Sequence, residues 1–311
     1  MSSEVVVIGG GPGGVSCALY LVRLGVEVTL VSGNIGGKQN YYRTIHGLAP
    51  YRSMVAVEYV AELKDAVASA QREGPTNFRS HSGMVTKVER DANGRFSIHI
   101  DDGNTLQAKY VVVASGSSTD LTVIPGSIKA EALTFEDFPF DTIDATKRVL
   151  VLGAGYSAAE MVPTLKAKGH TVLVLDLSSS SYERLPLDRR KVFNEGNCSL
   201  VFDKHYELTN GRVTFQHKDA SGHFEFDHVL ACTGERVNTS YLPDELLNPR
   251  NRRLTVVRDP VPAQVCMSDK WDRLYAVGDI RDEELTSFIA CAQADGIRVA
   301  QGIQSRIMNG D

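Results

Sequence analysis

The chain has 311 residues, which is long for one domain and sufficient for two. It is 42% apolar and 23% charged, a composition typical of a globular protein and unlike that of a disordered chain. The net charge of −5 gives no electrostatic support for binding nucleic acid, and no apolar run reaches the roughly 18–20 residues of a membrane span.

The five cysteines are odd in number, and the closest pair in sequence is 25 residues apart. This spacing predicts neither a disulfide framework nor a metal site, and it favours a reducing compartment. The N-terminus lacks the basic start and the apolar stretch of a signal peptide. We therefore expect a cytoplasmic protein with no resident metal, no nucleic-acid partner and no membrane association.

In chain order, the first predicted elements form a βαβ unit. Residues 5–8 predict a strand, a glycine loop occupies 9–14, a helix continues to about residue 24, and 26–31 predict a second strand. Residues 5–8 are continuously apolar and 26–31 are largely so, which is typical of a parallel sheet buried on its two faces.

The next segment predicts a helix at 54–72 and then a meander of short alternating strands at 85–90, 95–100 and 105–109. Asn-Gly and Asp-Gly pairs between these strands are strong hairpin signals. A buried strand is predicted directly after the meander, at 110–114.

The second half of the chain repeats this plan, which indicates duplication of a whole domain. Its predicted elements are a strand at 148–152, a glycine loop at 153–158, a helix to about 168, a strand at 171–175, a hairpin at 213–217 and 223–226, and a strand at 229–232.

The last predicted elements are a strand at 274–277 and an amphipathic helix at 286–307, while 247–272 should be mostly irregular. This order predicts a discontinuous first domain, formed by 1–118 and 246–311, with a second domain at 119–245 inserted into it. The fold class is therefore α/β, with two Rossmann-like dinucleotide-binding domains, each a three-layer ββα arrangement.

Gly9-x-Gly11-x-x-Gly14 follows a predicted strand and opens a predicted helix. In such a loop the first glycine allows the tight turn, the second lets a pyrophosphate approach the backbone, and the third lets helix and strand pack closely. The helix N-terminus then presents free N–H groups to the phosphate. The pattern predicts a dinucleotide site.

Gly153-x-Gly155-x-x-Ala158 is the same device in the second unit. Asp176, at the end of the following strand, would accept hydrogen bonds from ribose hydroxyls and repel a 2′-phosphate, which favours NADH. Three arginines follow the polar run 178–181 and leave NADPH open, because guanidinium groups bind phosphate: Arg184, Arg189 and Arg190.

Six short motifs follow one another along nearly the whole chain. They are Gly9-Gly10-Gly11-Pro12-Gly13-Gly14, Ile35-Gly36-Gly37-Lys38-Gln39, Val113-Ala114-Ser115-Gly116, Gly153-Ala154-Gly155-Tyr156-Ser157-Ala158, Ala231-Cys232-Thr233-Gly234 with Val237-Asn238-Thr239, and Tyr275-Ala276-Val277-Gly278-Asp279-Ile280. Together they resemble the thioredoxin-reductase-like branch of the class II pyridine nucleotide-disulfide oxidoreductases, flavoproteins with two dinucleotide-binding domains.

The resemblance implies FAD in the split domain, NADH or NADPH in the inserted domain, and a homodimer. It implies that the loop glycines hold the FAD pyrophosphate and that Asp279 accepts from a ribityl hydroxyl. The residues implied at FAD are Gly9, Gly11, Pro12, Gly13, Gly14, Ser32, Gly37, Gln39, Val85, Ala114, Gly116, Gly278, Asp279, Thr286, Ser287 and Phe288. Those implied at the nicotinamide nucleotide are Gly153, Gly155, Tyr156, Ser157, Ala158 and Asp176.

Three departures from the family pattern bear on function. The region before the second glycine loop, 137–142, holds no Cys-x-x-Cys, and thiol–disulfide exchange requires two sulfurs close together. Asp176 stands where the family has a basic cluster for NADPH, and Ser32 stands where it has an acid for the adenosine ribose. In lacking the disulfide the chain is similar to the ferredoxin and flavodoxin NADP reductases of this fold.

The resemblance also places several side chains beside the flavin ring. The segment with Thr286 and Ser287 would meet the pyrimidine end, where a helix N-terminus stabilises negative charge. Phe288 would either shield the ring or pack in the core. His46 and Ser287 are the predicted catalytic residues, because a histidine donates a proton at neutral pH.

We therefore expect an FAD-dependent oxidoreductase that passes electrons between a nicotinamide nucleotide and an external acceptor, either a small molecule or a small redox protein, without an internal disulfide. The alternative is a flavin-only protein that has lost its nucleotide and is reduced by ferredoxin, a substrate or another partner, or that acts as an oxidase. The missing basic cluster motivates this alternative.

Overall fold

The computed structural model describes residues 2–46, 48–50, 53–74, 76–124, 126, 131–209, 211–217, 220–258, 265–282 and 288–310. Thr286 and Ser287, which the sequence analysis places beside the flavin, lie outside these ranges. The beginning of the predicted helix 286–307 therefore also falls partly outside them.

The strands and helices have the following bounds in the structure. The strands are β1 Ser2–Ile8, β2 Val28–Ser32, β3 Thr44–His46, β4 Ser53–Val55, β5 Phe78–Ser82, β6 Val85–Arg90, β7 Phe96–Ile100, β8 Thr105–Val113, β9 Ser117–Thr119, β10 Ala132–Thr134, β11 Arg148–Leu152, β12 Thr171–Asp176, β13 Cys198–Phe202, β14 Glu207–Thr209, β15 Arg212–His217, β16 Ala220–Glu225, β17 His228–Ala231, β18 Glu235–Val237, β19 Val256–Arg258, β20 Cys266–Ser268 and β21 Leu274–Ala276. The helices are α1 Pro12–Arg23, α2 Ala56–Glu73, α3 Tyr156–Ala167, α4 Ser180–Glu183, α5 Leu187–Arg190 and α6 Ile289–Met308.

The chain divides into two compact units. Unit 1 comprises residues 1–118 and 236–311, and unit 2 comprises 119–235. The second crossing thus lies ten residues before the predicted boundary at 245/246. The physical reason is burial, because Tyr241, Leu242 and Leu246 belong to a hydrophobic core of unit 1. The two crossing strands, β9 and β18, pair with each other.

Unit 1 is built on one large sheet. Its parallel part has the order β21-β8-β1-β2-β5, and β19 and β20 extend it antiparallel beyond β21. The antiparallel meander β6-β7 joins through the first half of β8. Two short strands in the predicted irregular stretch 247–272 therefore belong to the sheet edge.

Alternate residues of β1 point into two different cores. Val5 and Val7 pack with the apolar faces of α1, α2 and α6. Val6 and Ile8 pack on the other face, with the meander and the segment around Leu246. A strand buried on both sides needs apolar residues at every position, which is why residues 5–8 are continuously apolar. Unit 1 consequently has the predicted order of meander, sheet and helices.

Unit 2 repeats this construction on a smaller scale. Its five described parallel strands have the order β10-β17-β11-β12-β13, and an antiparallel sheet β14-β15-β16 accompanies them. Leu150, Leu173 and Phe226 share a core with partly buried side chains of the small sheet. The predicted α/β fold with two Rossmann-like units is confirmed.

Among the described helices, none combines the length and the apolar character that a membrane-spanning segment needs.

Candidate functional site

The glycine loop after β1 in unit 1 is closed by backbone contacts that exclude a side chain. Gly9 has φ +114°, and its N–H donates to the Val31 carbonyl at 2.8 Å. A Cβ at Gly9 would lie 2.3 Å from the Ala114 oxygen, and one at Gly14 would lie 1.9 Å from the Gly9 oxygen. These approaches, and not ligand binding alone, make glycine necessary at both ends of the loop.

Gly11 is different, because a Cβ there would meet no protein atom within 4 Å. It is the N-cap of α1, with no side-chain cap, and Pro12 follows in the first helical turn. Pro12 has no N–H, so the backbone donors of the first turn begin at Gly13. The open space in front of Gly11 and the helix start without a side-chain cap fit a diphosphate at residues 9–14.

A second glycine turn lies against this loop. Gly36 donates its N–H to the Gly10 carbonyl at 2.8 Å, and a Cβ at Gly37 would lie 3.1 Å from the Gly11 Cα. Residues Gly37–Asn40 form one 3-10 turn, which contains Gln39, one of the residues implied at FAD. The structure therefore brings the Gly37 turn to the phosphate loop, as the predicted FAD site requires.

Asp279 lies in the 3-10 turn Gly278–Ile280, directly after β21. Lys38 Nζ donates to Asp279 Oδ2 at 3.1 Å and to Ser117 Oγ at 2.9 Å, and Ser117 Oγ donates to the same Oδ2 at 3.1 Å. Sequence reasoning selected Asp279 but missed Lys38 and Ser117. Nothing in the local sequence signals the contacts, since the three residues come from distant segments.

The loop after β8 is fixed by hydrogen bonds from residues that follow β18. Asn238 donates its N–H to the Gly116 carbonyl at 2.9 Å and its side-chain amide to the Ser115 carbonyl at 3.0 Å. The buried Tyr241 hydroxyl donates to Ser115 Oγ at 2.9 Å. Burial raises the pKa of Tyr241 well above its ordinary value, so it remains a neutral donor. Gly116 and Ala114, both predicted at FAD, thus lie on an anchored loop.

The end of β2 carries Ser32 in place of a carboxylate. Its hydroxyl donates to the Asn34 carbonyl at 2.8 Å and accepts the Asn34 N–H at 3.1 Å. Ser32 is therefore engaged in a local turn at the position predicted to meet the adenosine ribose. Val85, at the start of β6, is half-buried and packs against the meander-side core.

The loop of unit 2 has the same geometry as the first. Gly153 has φ +97°, and a Cβ there would lie 2.2 Å from the Cys232 oxygen. At Gly155 the nearest atom to a Cβ would be 3.8 Å away, on Ser181. Ala158 is fully buried and lets α3 pack closely, whereas Tyr156 is exposed and Ser157 half-buried. The loop is open at its second glycine, which fits a dinucleotide.

Asp176 reaches across to this loop. Its Oδ2 accepts the Ala154 N–H at 2.8 Å, while Oδ1 lies 3.5 Å from the Ser178 N. This contact fixes the carboxylate beside the loop at the end of β12. The carboxylate consequently has the position that a ribose-binding acid occupies in dinucleotide-binding units.

Two of the three arginines suggested for a 2′-phosphate are engaged elsewhere. Arg189 Nη1 pairs with Glu160 Oε2 at 2.9 Å, and both side chains are largely buried. Arg190 donates to the carbonyls of Leu185 and Glu183. Arg184 is exposed. The engagement of Arg189 and Arg190 weakens the argument for NADPH.

The residues predicted near the flavin ring are only partly described. His46 is exposed at the end of β3, opposite Ser53 of β4. Phe288 is the N-cap residue of α6 and is 63% exposed, so in this structure it is not packed in the core. Thr286 and Ser287 are outside the described residues, so their predicted roles stay predictions.

All five cysteines lie in the described part of the chain, and none of them forms a disulfide. Burial raises the pKa of Cys198 to about 11 and that of Cys232 to about 12, and it raises the pKa of Cys17 further. Cys291 is half-buried in the first turn of α6. Across the ranges that the structure describes, no group of three or more His, Cys, Asp or Glu side chains is placed to hold a metal ion.

Curated relatives of this chain are reductases. A component of the alkyl hydroperoxide reductase of Staphylococcus aureus (strain MSSA476) is 22% identical over 290 residues, which is 90% of this chain and 54% of that protein. The same component in strain Mu50 is 24% identical over 293 residues, with the same coverage. The chain thus spans about half the length of the curated relatives it matches.

Solved structures share the fold over nearly the whole chain. A thioredoxin reductase from Lactococcus lactis superposes with a TM-score of 0.81 at 19% identity, covering 99% of both chains. One from T. acidophilum gives 0.78 at 20% identity, again with 99% of both chains. A bacillithiol disulfide reductase from Bacillus cereus gives 0.77 at 20% identity, covering 98% of this chain and 100% of that one.

The family described as pyridine nucleotide-disulphide oxidoreductase matches residues 3–298, almost the full chain. Its members use FAD and NAD(P)H, in agreement with the two glycine loops. This chain belongs to the pyridine nucleotide-disulphide oxidoreductase family.

Proposed function

We propose that this chain is an FAD-dependent oxidoreductase that passes electrons between a nicotinamide nucleotide and an external acceptor without an internal redox disulfide. The observation that supports it best is the open second glycine in both loops. Gly11 and Gly155 leave room for a diphosphate, whereas a Cβ at Gly9, Gly14 or Gly153 would meet backbone atoms. Each unit therefore keeps the space for its own dinucleotide.

The chain's own residues would bind and orient the two coenzymes. Backbone amides from Gly13 onward would bind the FAD diphosphate, and the Asp279 carboxylate would accept from a ribityl hydroxyl. Asp176 would do the same for a ribose of the nicotinamide nucleotide. Bound FAD supplies the redox chemistry, accepting two electrons from the nicotinamide and giving them to the acceptor.

We propose NADH as the preferred electron donor. A carboxylate at position 176 repels a 2′-phosphate, and Arg189 and Arg190 are already bound to other groups of the protein. NADPH would then bring its extra phosphate toward a negative side chain, and of the three arginines only Arg184 forms no ion pair or side-chain hydrogen bond with the described part of the chain.

The acceptor is proposed to be external because the sequence lacks the close cysteine pair that an internal relay would need. It contains no Cys-x-x-Cys, and none of the five cysteines forms a disulfide. A small molecule or a small redox protein fits this role, and the matched reductases point to disulfide-containing candidates for a first screen. His46, exposed on β3, and Ser287 are our proposed proton-transfer residues.

The test is anaerobic mixing of the FAD-loaded protein with NADH and, separately, with NADPH, followed by flavin absorbance near 450 nm. We expect rapid bleaching by NADH and slower bleaching by NADPH. A protein that holds FAD but bleaches with neither nucleotide would instead support the flavin-only alternative, reduced by ferredoxin, a substrate or another partner. Light scattering of the same sample tests our further proposal that the protein is a homodimer.

A further inference from the structure

Lys38, Ser117 and Asp279 form a compact polar cluster where three segments of unit 1 meet. The Lys38 and Asp279 side chains are only 18% and 15% exposed, and Ser117 is buried. The hydroxyl of Ser117 accepts from the ammonium and donates to the carboxylate, so it bridges the two charges. The cluster joins the Gly37 turn to the Gly278 turn.

This ion pair differs in kind from the exposed pairs of the same unit. Lys87 and Glu89 also form an ion pair, but their side chains are 62% and 47% exposed. Charges held in water contribute little when paired, whereas loss of one partner from a sheltered pair leaves the other charge uncompensated. Neutralising Lys38 would therefore leave the sheltered Asp279 carboxylate without a compensating charge, and this cost disappears when residue 279 is itself neutral.

The Lys38–Asp279 pair lies near the phosphate loop, so the charge of Asp279 matters to an anionic ligand. Gly37, next to Lys38 in sequence, lies against Gly11 at the phosphate loop. The Asp279 carboxylate is thus within one lysine side chain of the place where a diphosphate would bind. Unneutralised, it would repel that anion over a distance comparable to the Debye length of about 8 Å.

The geometry also leaves the carboxylate able to bind. The hydrogen bonds that reach the Asp279 side chain from the described residues all end on Oδ2. Oδ1 is accordingly left to accept a hydroxyl from a ligand. Lys38 and Ser117 together orient the carboxylate by holding one of its two oxygens.

We propose that Lys38 is a charge-compensating and positioning residue for FAD. Its ammonium, with Ser117 as the bridge, holds Asp279 toward the coenzyme and cancels the repulsion between that carboxylate and the diphosphate. The inference rests on the proposed function, because it takes FAD as the ligand of unit 1. It requires that the need for a positive charge at position 38 disappears once residue 279 is neutral.

The experiment is titration of full-length apoprotein with FAD, followed by quenching of flavin fluorescence. The variants are Lys38→Met, Lys38→Arg, Asp279→Asn and the double variant Lys38→Met/Asp279→Asn. Lys87→Met is the matched control, since it removes the same charge from an exposed pair. Lys38→Gln serves as a second neutral variant should Lys38→Met not fold, which circular dichroism establishes beforehand.

We expect Lys38→Met to raise the Kd for FAD about tenfold or more, because coupled charges typically show such interaction energies. Lys38→Arg should stay within about threefold of wild type, since it keeps the charge. Lys87→Met should bind as wild type does. In the Asp279→Asn background, Lys38→Met should change the Kd for FAD less than about twofold. A purely structural role of Lys38 would give the same effect in both backgrounds.

Two results would overturn the inference while leaving the proposed function intact. One is an unchanged Kd in folded Lys38→Met or Lys38→Gln. The other is an equal loss on neutralising Lys38 in both backgrounds. Wild-type apoprotein that takes up no FAD would instead overturn the proposed function itself, and this inference with it.

Discussion

Gly11 and Gly155 occupy equivalent places in the two loops; a Cβ would meet no protein atom within 4 Å at Gly11 and only Ser181, at 3.8 Å, at Gly155. We predict that Gly11→Ala folds normally but loses FAD, since the new methyl group meets the coenzyme and no protein atom. Gly155→Ala should keep its yellow colour and lose bleaching by NADH. Flavin content after purification and anaerobic absorbance measure the two effects.

Gly14→Ala provides the contrast, because its Cβ would lie 1.9 Å from the Gly9 oxygen. This variant should lose thermal stability together with FAD, whereas Gly11→Ala apoprotein should melt like wild-type apoprotein. Full FAD retention in Gly11→Ala would contradict a diphosphate in front of that residue.

The Asp176 carboxylate alone should give the protein a preference for NADH over NADPH. We predict that Asp176→Asn lowers the ratio of kcat/KM for NADH to that for NADPH by about tenfold, because the negative charge facing a 2′-phosphate is gone while an oxygen remains for the Ala154 N–H. Steady-state flavin-linked oxidation of both nucleotides measures it. Asp188→Asn, which removes the same charge from the exposed helix α5, should leave the ratio unchanged.

The buried thiols of Cys17 and Cys232 and the half-buried thiol of Cys198 predict resistance to alkylation. Burial raises the pKa of Cys198 to about 11 and that of Cys232 to about 12, so both stay protonated at pH 8, and thiolate forms only as the pH approaches those values. Iodoacetamide at pH 8 should leave Cys198, Cys232 and the still more buried Cys17 unmodified in the native protein. Mass spectrometry measures this, with urea-unfolded protein as the control. Rapid native labelling of Cys232 would show that its segment opens.

Helices α1 and α6 approach each other through glycine. A Cβ at Gly296 would lie 2.3 Å from the Gly13 oxygen, whereas one at Gly302 in the same helix would meet only the side chain of Val265, at 3.2 Å. We predict that Gly296→Ala lowers the free energy of unfolding by about 1–3 kcal/mol through overpacking. Urea unfolding measures the change.

Gly302→Ala is the matched control, because it introduces the same methyl group into the same helix. It gains the helix propensity of alanine, roughly 0.5–1 kcal/mol, which offsets a contact that a side chain can relieve. Equal destabilisation by the two substitutions would contradict the backbone contact as the cause.

Strand β8 shows what sequence patterns reveal about an element and where they mislead. Residues 105–109 alternate and 110–114 are continuously apolar, so they predict two strands, yet Thr105–Val113 is one strand. Its first half pairs with the meander and its second half lies between β1 and β21. The change of pattern marks a change of surroundings along one strand, and not a break in it.

Other elements and contacts carry no local signal at all. Strand β5 has the sequence FRSHS, which lacks alternation because it is an edge strand with only Phe78 buried. The Lys38 cluster joins residues up to 241 positions apart, and no periodicity reports such a contact. Loops, helices and buried strands were predictable because local chemistry determines them.

At the scale of the molecule, unit 2 is inserted into unit 1 through two paired crossings. Because β9 pairs with β18, residues 118 and 236 lie close enough for a short linker. We predict that deleting 119–235 and joining the ends through a few glycine and serine residues yields a unit that binds FAD and is bleached by dithionite but not by NADH. Absorbance spectroscopy measures each property, and bleaching by NADH would place the nucleotide site outside unit 2.

The position of β21 and α6 has a consequence for biosynthesis. Both complete unit 1 beside β8 and α1, although they are translated after all of unit 2. On the ribosome, residues 119–235 emerge as one uninterrupted segment that can fold while the first 118 residues still lack their neighbours. The nascent chain should therefore acquire its inserted unit first and capture the flavin coenzyme last, once α6 has left the exit tunnel.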